Sequence, residues 1–294
     1  MSVIANSSSP ARLTTLEPAL YFVSTPIGSA RDITLRALDI LLCADVIAAE
    51  DTRTARKLME IHGVAVGDRQ LIAYHDHNGA AQRPRILRHL AEGRSVAYVS
   101  EAGTPLVADP GFQLGVSVLE AGFLVLSAPG ASAVLAALTV SGLPTDRFMF
   151  VGFSPQTGGA RQTWVTDLST VQATLIIYES PKRVHKFLGI LAETFGGDRP
   201  VALCRELTKR FEEVIRGSIS DVQAAIADRS LKGEIVLVVG GASEQVTSIE
   251  DMEDALRDRL KTLSVKDATA EVAALLGLPK RQVYQAALAL SDLK

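Results

Sequence analysis

Residues 95–113, SVAYVSEAGTPLVADPGFQ, constrain the fold more than any other stretch of the chain. Val96, Ala97, Tyr98 and Val99 form an apolar run that suits one buried strand and is too short for a helix. The run stops at Ser100 and enters a loop of small, polar and proline residues: Glu101, Ala102, Gly103, Thr104 and Pro105. A second breaker group follows at Asp109, Pro110 and Gly111. Gly103 lets a ligand come close to the backbone, and Pro105 stiffens the loop. In open α/β sheets, ligands bind in loops just past the carboxyl ends of strands. The competing reading is an ordinary strand-to-helix connection.

The same unit recurs before and after this stretch. An apolar run at 19–23 ends in Ser24, Thr25, Pro26, Ile27 and Gly28, and a helix opening at Asp32 runs to about Leu42. A turn of this kind can offer backbone N–H groups to a ligand. The run at 46–49 ends in Glu50, Asp51, Thr52 and Arg53, ahead of a helix over 54–61. Those acids are either favourable charges at a helix start or working groups. The run at 71–74 precedes His75, Asp76, His77 and Asn78. Two histidines on one loop, with no third ligand at fixed spacing, do not make a metal site. A polar cluster that orders the loop or meets substrate is the better reading. A strand at 123–127 ends near Pro129 and Gly130, and the helix over 133–141 is apolar throughout, so it is expected to be buried.

The second half continues the pattern. A strand at 148–153 leads into residues 154–162, SPQTGGARQ, which read as a mobile loop able to act as a lid. A helix is expected over 164–170. The β-branched run at 173–178 ends in Glu179, Ser180 and Pro181, and the next helix opens on Lys182, Arg183, His185 and Lys186. Cations are disfavoured at a helix start, so this turn hints at an anionic partner. A strand at 200–204 runs into Arg205, Glu206, Leu207, Thr208, Lys209 and Arg210. A helix over 221–228 and the loop Lys232, Gly233, Glu234 precede a closing strand at 235–239. The alternation argues an α/β protein with two sheets whose glycine loops face each other across a cleft.

After about residue 244 the composition shifts to charged amphipathic helices. Ser264 and Asp267 have capping-box spacing, and two short helices across Gly277 fit a helix-turn-helix. Lys280 and Arg281 stand near the start of the last one. The net charge of −3 excludes a protein coated in basic charge, though not a local basic face. The two cysteines are isolated and read as reduced residues of a cytoplasmic protein. No apolar run reaches the ~18 residues needed to span a bilayer. The serine-rich segment 1–18 lacks the apolar core of a signal peptide and reads as a disordered leader.

Several of these segments carry a family resemblance. SEAGTPLVADPG is similar to the S-D-A-G-T-P-L-x-x-D-P-G segment of the small-subunit ribosomal RNA methyltransferases, a branch of the tetrapyrrole-methylase superfamily. Glu101 stands where that family usually has Asp. TPIG, AEDTR, HDHN, RELTK and GEIVLVV resemble further family segments, and the likeness runs from about Leu20 to Gly241 with a tail match after it.

The resemblance implies two α/β domains, 19–130 and 131–243, with a cofactor cleft between them and a helical tail over 244–294. It implies S-adenosylmethionine as methyl donor, cradled by Pro26, Gly28, Glu101, Ala102, Gly103, Thr104, Pro105, Ser132, Phe153, Gly233 and Glu234. The implied acceptor is a cytidine ribose 2′-hydroxyl in the decoding region of 16S rRNA, reached by a cytoplasmic homodimer. A hydroxyl is a poor nucleophile at neutral pH, so a nearby carboxylate or lysine would help. Glu50, Asp51, Glu179, Glu206 and Lys209 are the candidates, with no choice among them. Arg53, His75, Asn78, Arg183, Arg205, Lys280 and Arg281 are the candidate RNA contacts. A methylase acting on a precorrin- or uroporphyrinogen-type carbon is the runner-up, disfavoured because those enzymes typically carry a different G-D-P loop. A non-catalytic RNA-binding ribosome-assembly factor is the third reading, disfavoured by the cofactor loops.

Overall fold

The structure, a computed structural model, describes residues 15–242, 249–276 and 279–291. Residues 1–14, most of the expected leader, and Gly277 lie outside the described residues. The chain divides into two compact units, residues 1–241 and 242–294.

The first half of the larger unit is a five-stranded sheet with connecting helices. Strands β1 (Ala19–Val23), β2 (Val46–Ala49), β3 (Gln70–Ala73), β4 (Val96–Val99) and β5 (Leu124–Ala128) run parallel in the order β3-β2-β4-β1-β5. Every residue of β1, β2 and β4 is buried. A parallel sheet covered on both faces requires this, and it explains why these strands read as unbroken apolar runs. Helices α1 (Leu35–Cys43) and α2 (Thr52–Ile61) contribute Ile40, Leu41 and Met59 to the core on one face. Helices α3 (Gly79–Ala91) and α4 (Phe112–Glu120) contribute Ile86, Leu90, Leu114 and Val118 to the other. Tyr98 is fully buried at the centre of that second core, edge-on to Phe22 at 5.5 Å and Tyr74 at 5.7 Å. Its hydroxyl donates to Pro110 O at 3.0 Å. The β4 strand is thereby tied to the second breaker group of its own loop.

Helix α5 (Ala133–Ser141) opens the second half. One face of it is packed into a core, formed by Val134, Ala137 and Leu138 against Ile176, Ala202, Val236 and Val238, while Leu135 on the other face stays 53% exposed, so the helix is not buried all round as expected. Ile27 from the β1 loop joins the same core. Strands β6 (Phe148–Phe153), β7 (Thr174–Glu179), β8 (Pro200–Arg205), β9 (Glu213–Ser218) and β10 (Ile235–Val239) form the second sheet in the order β6-β7-β10-β8-β9. Only β6 and β7 are parallel; β10 lies antiparallel between β7 and β8, and β9 pairs antiparallel with β8. The β8–β9 link is too short for a helical crossover, so the chain must turn back on itself.

Helices α6 (Gly158–Leu168), α7 (Val184–Phe195) and α8 (Ile219–Ile226) cover the outer face through Val165, Phe187, Leu188, Val222 and Ile226. Helix α8 starts two residues before the expected 221, because Ser218 caps it in a full capping box with Asp221.

The expected mobile lid over 154–162 is corrected by the structure. Ser154 is buried and its hydroxyl donates to Glu179, while α6 already begins at Gly158. Arg161, only 4% exposed, donates to Pro155 O at 2.9 Å and Gln156 O at 3.0 Å. A buried guanidinium holding two loop carbonyls turns a glycine-rich sequence into a fixed corner.

In the smaller unit, α9 (Ile249–Arg259), α10 (Val265–Leu276) and α11 (Lys280–Ser291) pack around Met252, Leu256, Val272, Val283 and Ala287. Ser264 Oγ accepts from Asp267 N at 3.2 Å, the cap its spacing implied. Lys280 and Arg281 are exposed on the first turn of α11.

Candidate active site

The carboxyl ends of β1, β2 and β4 converge on a cavity of about 630 Å³ whose far wall comes from the second sheet. Thr104 of the first half and Gly233 of the second line this one hollow. This is the position at which parallel α/β sheets take ligands.

The near wall is stitched together by its backbone. Thr25 N donates to Gly103 O at 2.8 Å, and Gly103 N returns a bond to Thr25 O at 3.0 Å. Thr104 Oγ1 donates to Ala131 O at 3.0 Å and accepts from Ser24 Oγ at 3.3 Å. Three loops remote in sequence are therefore fixed to one another. Gly103 has φ +84°, a conformation that side chains resist.

The far wall rests on the β8–β9 link. Glu206 accepts from Glu234 N and from Lys209 Nζ, both at 3.0 Å. Lys209 also donates to Glu234 Oε2 at 2.9 Å. Burial acts to raise the Glu206 carboxyl, but the bonds from Lys209 and Glu234 outweigh it and hold it below the usual range. Burial likewise acts to lower Lys209, and its two carboxylate partners hold it above its ordinary value. Gly233 makes room for this cluster. A Cβ there would fall 2.2 Å from Glu206 Oε1, and its φ is +89°.

The expected cradle residues Pro26, Gly28, Glu101, Ala102, Gly103, Thr104, Ser132, Phe153, Gly233 and Glu234 all line the cavity, while Pro105 is buried beneath the loop. Of the candidate proton acceptors, Glu50, Glu179 and Lys209 line it too. Glu50 accepts from Glu101 N at 3.1 Å. The Glu179 side chain is fully buried, bound by Ser154, by Ser180 N at 2.6 Å and by Arg183 at 2.6 Å. Asp51 instead caps α2, accepting from Arg53 N at 2.7 Å and Thr54 N at 3.4 Å. Hydrogen bonds from Arg53 hold its carboxyl down at about 2. That is the helix-start role, and a group this acidic is a poor proton acceptor.

The candidate RNA contacts divide in the same way. Arg53 is 91% exposed while paired with Asp51. Arg183 is committed to Glu179, and Arg205 to Glu213 at 3.1 Å. Asn78 is a turn clamp, accepting from His75 N at 2.9 Å and donating to Ala73 O at 3.0 Å. Among the described residues, no three His, Cys, Asp or Glu side chains are grouped to hold a metal ion.

Sequence reasoning misses Asp109, Tyr178 and Thr54, which also line the cavity. In sequence Asp109 is only a breaker beside Pro110. Burial, and then the nearby Glu50, raise its carboxyl to about 7, against a hydrogen bond from Ser100. The hollow thus presents Glu50, Glu101, Asp109 and Glu234 with Lys209 as cation. Its glycine walls admit close backbone approach, and its acidic lining suits a ligand bearing positive charge better than a polyphosphate.

Comparison with known proteins gives this geometry its relatives. The model for tetrapyrrole (corrin/porphyrin) methylases matches residues 19–223. The chain is 44% identical to the ribosomal RNA small subunit methyltransferase I of Mesorhizobium japonicum, over 99% of this chain and 97% of that protein. The chain belongs to the ribosomal RNA small subunit methyltransferase I family. The protein of that name from Halalkalibacterium halodurans is 40% identical over 90% of this chain and 93% of its own length. The model of the RsmI C-terminal HTH domain matches residues 246–291, which hold α9 to α11. A solved cobalt precorrin-4 methyltransferase of cobalamin biosynthesis shares the fold of the body. Its TM-score is 0.58 at 18% identity, over 76% of this chain and 95% of that one. The family model and these relatives make the chain a methyltransferase.

Proposed function

We propose that the chain methylates the RNA of the small ribosomal subunit, using S-adenosylmethionine, at the ribose 2′-hydroxyl of a cytidine in the decoding region. The observation that carries this reading is one hollow with two fixed glycine-bearing walls, in a chain 44% identical to a ribosomal RNA methyltransferase over nearly its whole length. When bound, the donor supplies an activated methyl on a positively charged sulfur. Gly103 and Gly233 both line the hollow that would receive it, and the carboxylates of the lining oppose its charge. The chain's own task is to hold the acceptor oxygen in line with that methyl and to keep water out.

The division of the body near residue 130 belongs to this proposal, since α5 packs with the second sheet. So does a homodimer, supported by exposed apolar residues on one edge strand of each sheet, Leu124 of β5 and Phe148 and Met149 of β6. Sedimentation velocity tests the dimer, and cell fractionation tests a cytoplasmic location. No helix among the described residues is long and apolar enough to cross a membrane.

The deciding experiment incubates the protein and labelled donor with small ribosomal subunits, with naked 16S rRNA and with uroporphyrinogen. Label in one cytidine ribose, mapped by mass spectrometry, is the expected result. Label in the tetrapyrrole alone would sink the proposal, as would donor binding with no transfer to RNA.

The smaller unit is the proposed RNA grip. Reversing charge at both Lys280 and Arg281 with glutamate is expected to weaken binding to small-subunit RNA about tenfold and to flatten the salt dependence by about two phosphate contacts. Donor affinity stays unchanged. Filter binding across a salt series checks the first effect and calorimetry the second.

A further inference from the structure

Asp109 borders two hollows at once. It lines the 630 Å³ cleft and also a smaller one of about 150 Å³, together with Tyr74, His75, Arg83, Phe112 and Gln113. Phe112 presents an aromatic ring that is 64% exposed, in a chain whose aromatics otherwise mostly serve the core. Arg83 brings a guanidinium, and His75 and Gln113 bring hydrogen-bonding side chains. An exposed ring, a guanidinium and polar edge groups around one small hollow are what hold an unstacked nucleobase and its phosphate.

The septum between the hollows is rigid and strained. Leu106 and Ala108 both sit in the left-handed region, at φ 73° and 60°. Such conformations persist where surrounding packing over-determines them, and they cluster at working sites. Tyr98 braces the next residue from below through Pro110 O at 3.0 Å. Gly111, at φ +121°, is packed so closely that a Cβ would meet Leu106 Cδ2 at 2.9 Å and Tyr98 at 3.2 Å.

Most of the other acids and the lysine have partners, although Glu101 lies exposed on the β4 loop. Glu206 and Lys209 neutralise each other, Asp51 caps α2, and Glu179 is sealed beneath Ser154 and Arg183. Glu50 is held by Glu101 N.

Resting on the functional reading above, we propose that Asp109 is the catalytic proton acceptor for the ribose hydroxyl, with the base of the acceptor nucleotide received in the smaller hollow over Phe112. As the ribose oxygen forms its bond to the methyl carbon, the hydroxyl proton passes to the Asp109 carboxylate. The carbon–sulfur bond breaks with its electron pair left on sulfur, so the sulfonium becomes a neutral thioether.

The groups facing Asp109 set its proton affinity. Glu50 comes from the end of β2, Glu101 and Ser100 from the β4 loop, Tyr98 from β4 and Tyr178 from β7. His75, Asp76 and Arg83 face it across the smaller hollow. Burial and the like charge of Glu50 place its titration at about 7. A proton acceptor works best when it titrates near the working pH.

The test is the near-isosteric D109N variant. Its turnover is expected to fall at least about 100-fold, far more than the few-fold loss of S-adenosylmethionine affinity, read by calorimetry, that removing one lining charge brings. The wild-type rate should rise with pH to a plateau above about 7, and the residual D109N rate should be flat. A readout independent of catalysis is thermal unfolding of the donor-free protein. The native carboxyl titrates near 7 against 3.8 for the unstrained group, so the native state binds the extra proton between those values. Wild-type stability therefore declines relative to D109N as pH rises through that window. Phe112→Ala should raise the KM for RNA about tenfold with donor binding intact. A D109N enzyme turning over within a few-fold of wild type overturns the assignment, as does an unchanged RNA KM in Phe112→Ala or a parallel pair of unfolding curves. Wild-type protein that binds donor and never methylates RNA sinks the functional reading itself, whereas normal wild-type turnover with an active D109N sinks only the role of Asp109.

Discussion

Gly233→Ala is expected to cost the protein about 100-fold in S-adenosylmethionine affinity, equivalent to ~2.8 kcal/mol. Two effects act together at this residue. Its φ of +89° is one that an alanine resists, at about 1–2 kcal/mol of backbone strain. The new Cβ would also fall 2.2 Å from Glu206 Oε1, 2.3 Å from Cδ and 2.6 Å from Cγ. The whole Glu206 side chain must therefore leave its place. Leaving breaks its bonds to Glu234 N and Lys209, and Lys209 keeps Glu234 Oε2 as its remaining carboxylate partner. The far wall is then rebuilt where the donor would lie. Calorimetric titration reads the affinity, and urea unfolding reads the strain. Donor affinity within a few-fold of wild type would mean that this wall does not touch the donor.

Arg183→Ala is expected to destabilise the fold by about 3 kcal/mol. Glu179 has a fully buried side chain, and Arg183 is its charged partner among the described residues. Removing the guanidinium leaves a carboxylate in the interior with Ser154 and Ser180 N to satisfy it. Breaking a buried pair from one side strands a charge in low dielectric, which is why the cost exceeds that of a surface pair. The same substitution separates two roles for the arginine. As a clamp on Glu179, Arg183 governs the urea midpoint and leaves the salt dependence of RNA binding unmoved. As a phosphate contact, it would lower that salt dependence by about one charge with little loss of stability. A normal midpoint with a reduced salt slope would make Arg183 a phosphate contact and not a clamp.

Much of the body was legible because its strands are buried on both faces. Runs such as 96–99 and 235–239 had no other way to satisfy their composition, and their boundaries fall within a residue or two of those in the structure. The cleft loops were legible for a related reason, since glycine and proline mark points where the backbone must depart from regular geometry. Residues 154–162 misled for the opposite reason. Glycine content speaks to local freedom, and it carries no information about Arg161, which returns to hold the carbonyls of Pro155 and Gln156.

Asp109 shows the limit most clearly. In the sequence it is one half of an Asp-Pro turn. Its proton affinity comes first from burial and then from Glu50, more than fifty residues earlier. Arg183 is the converse case, because a basic helix start suggested an anionic partner, and the nearest anion is Glu179 four residues before it.

Residue order alone was enough for the alternating elements other than β9, for the family and for the loops that form the cleft, because burial, turn chemistry and motif spacing are local properties of the chain. The mixed order of the second sheet, and which charged groups are occupied with one another, emerged only on folding. Charge pairing and desolvation depend on distances through space, and β2, β4, β7 and the β8–β9 link meet only once the chain has folded.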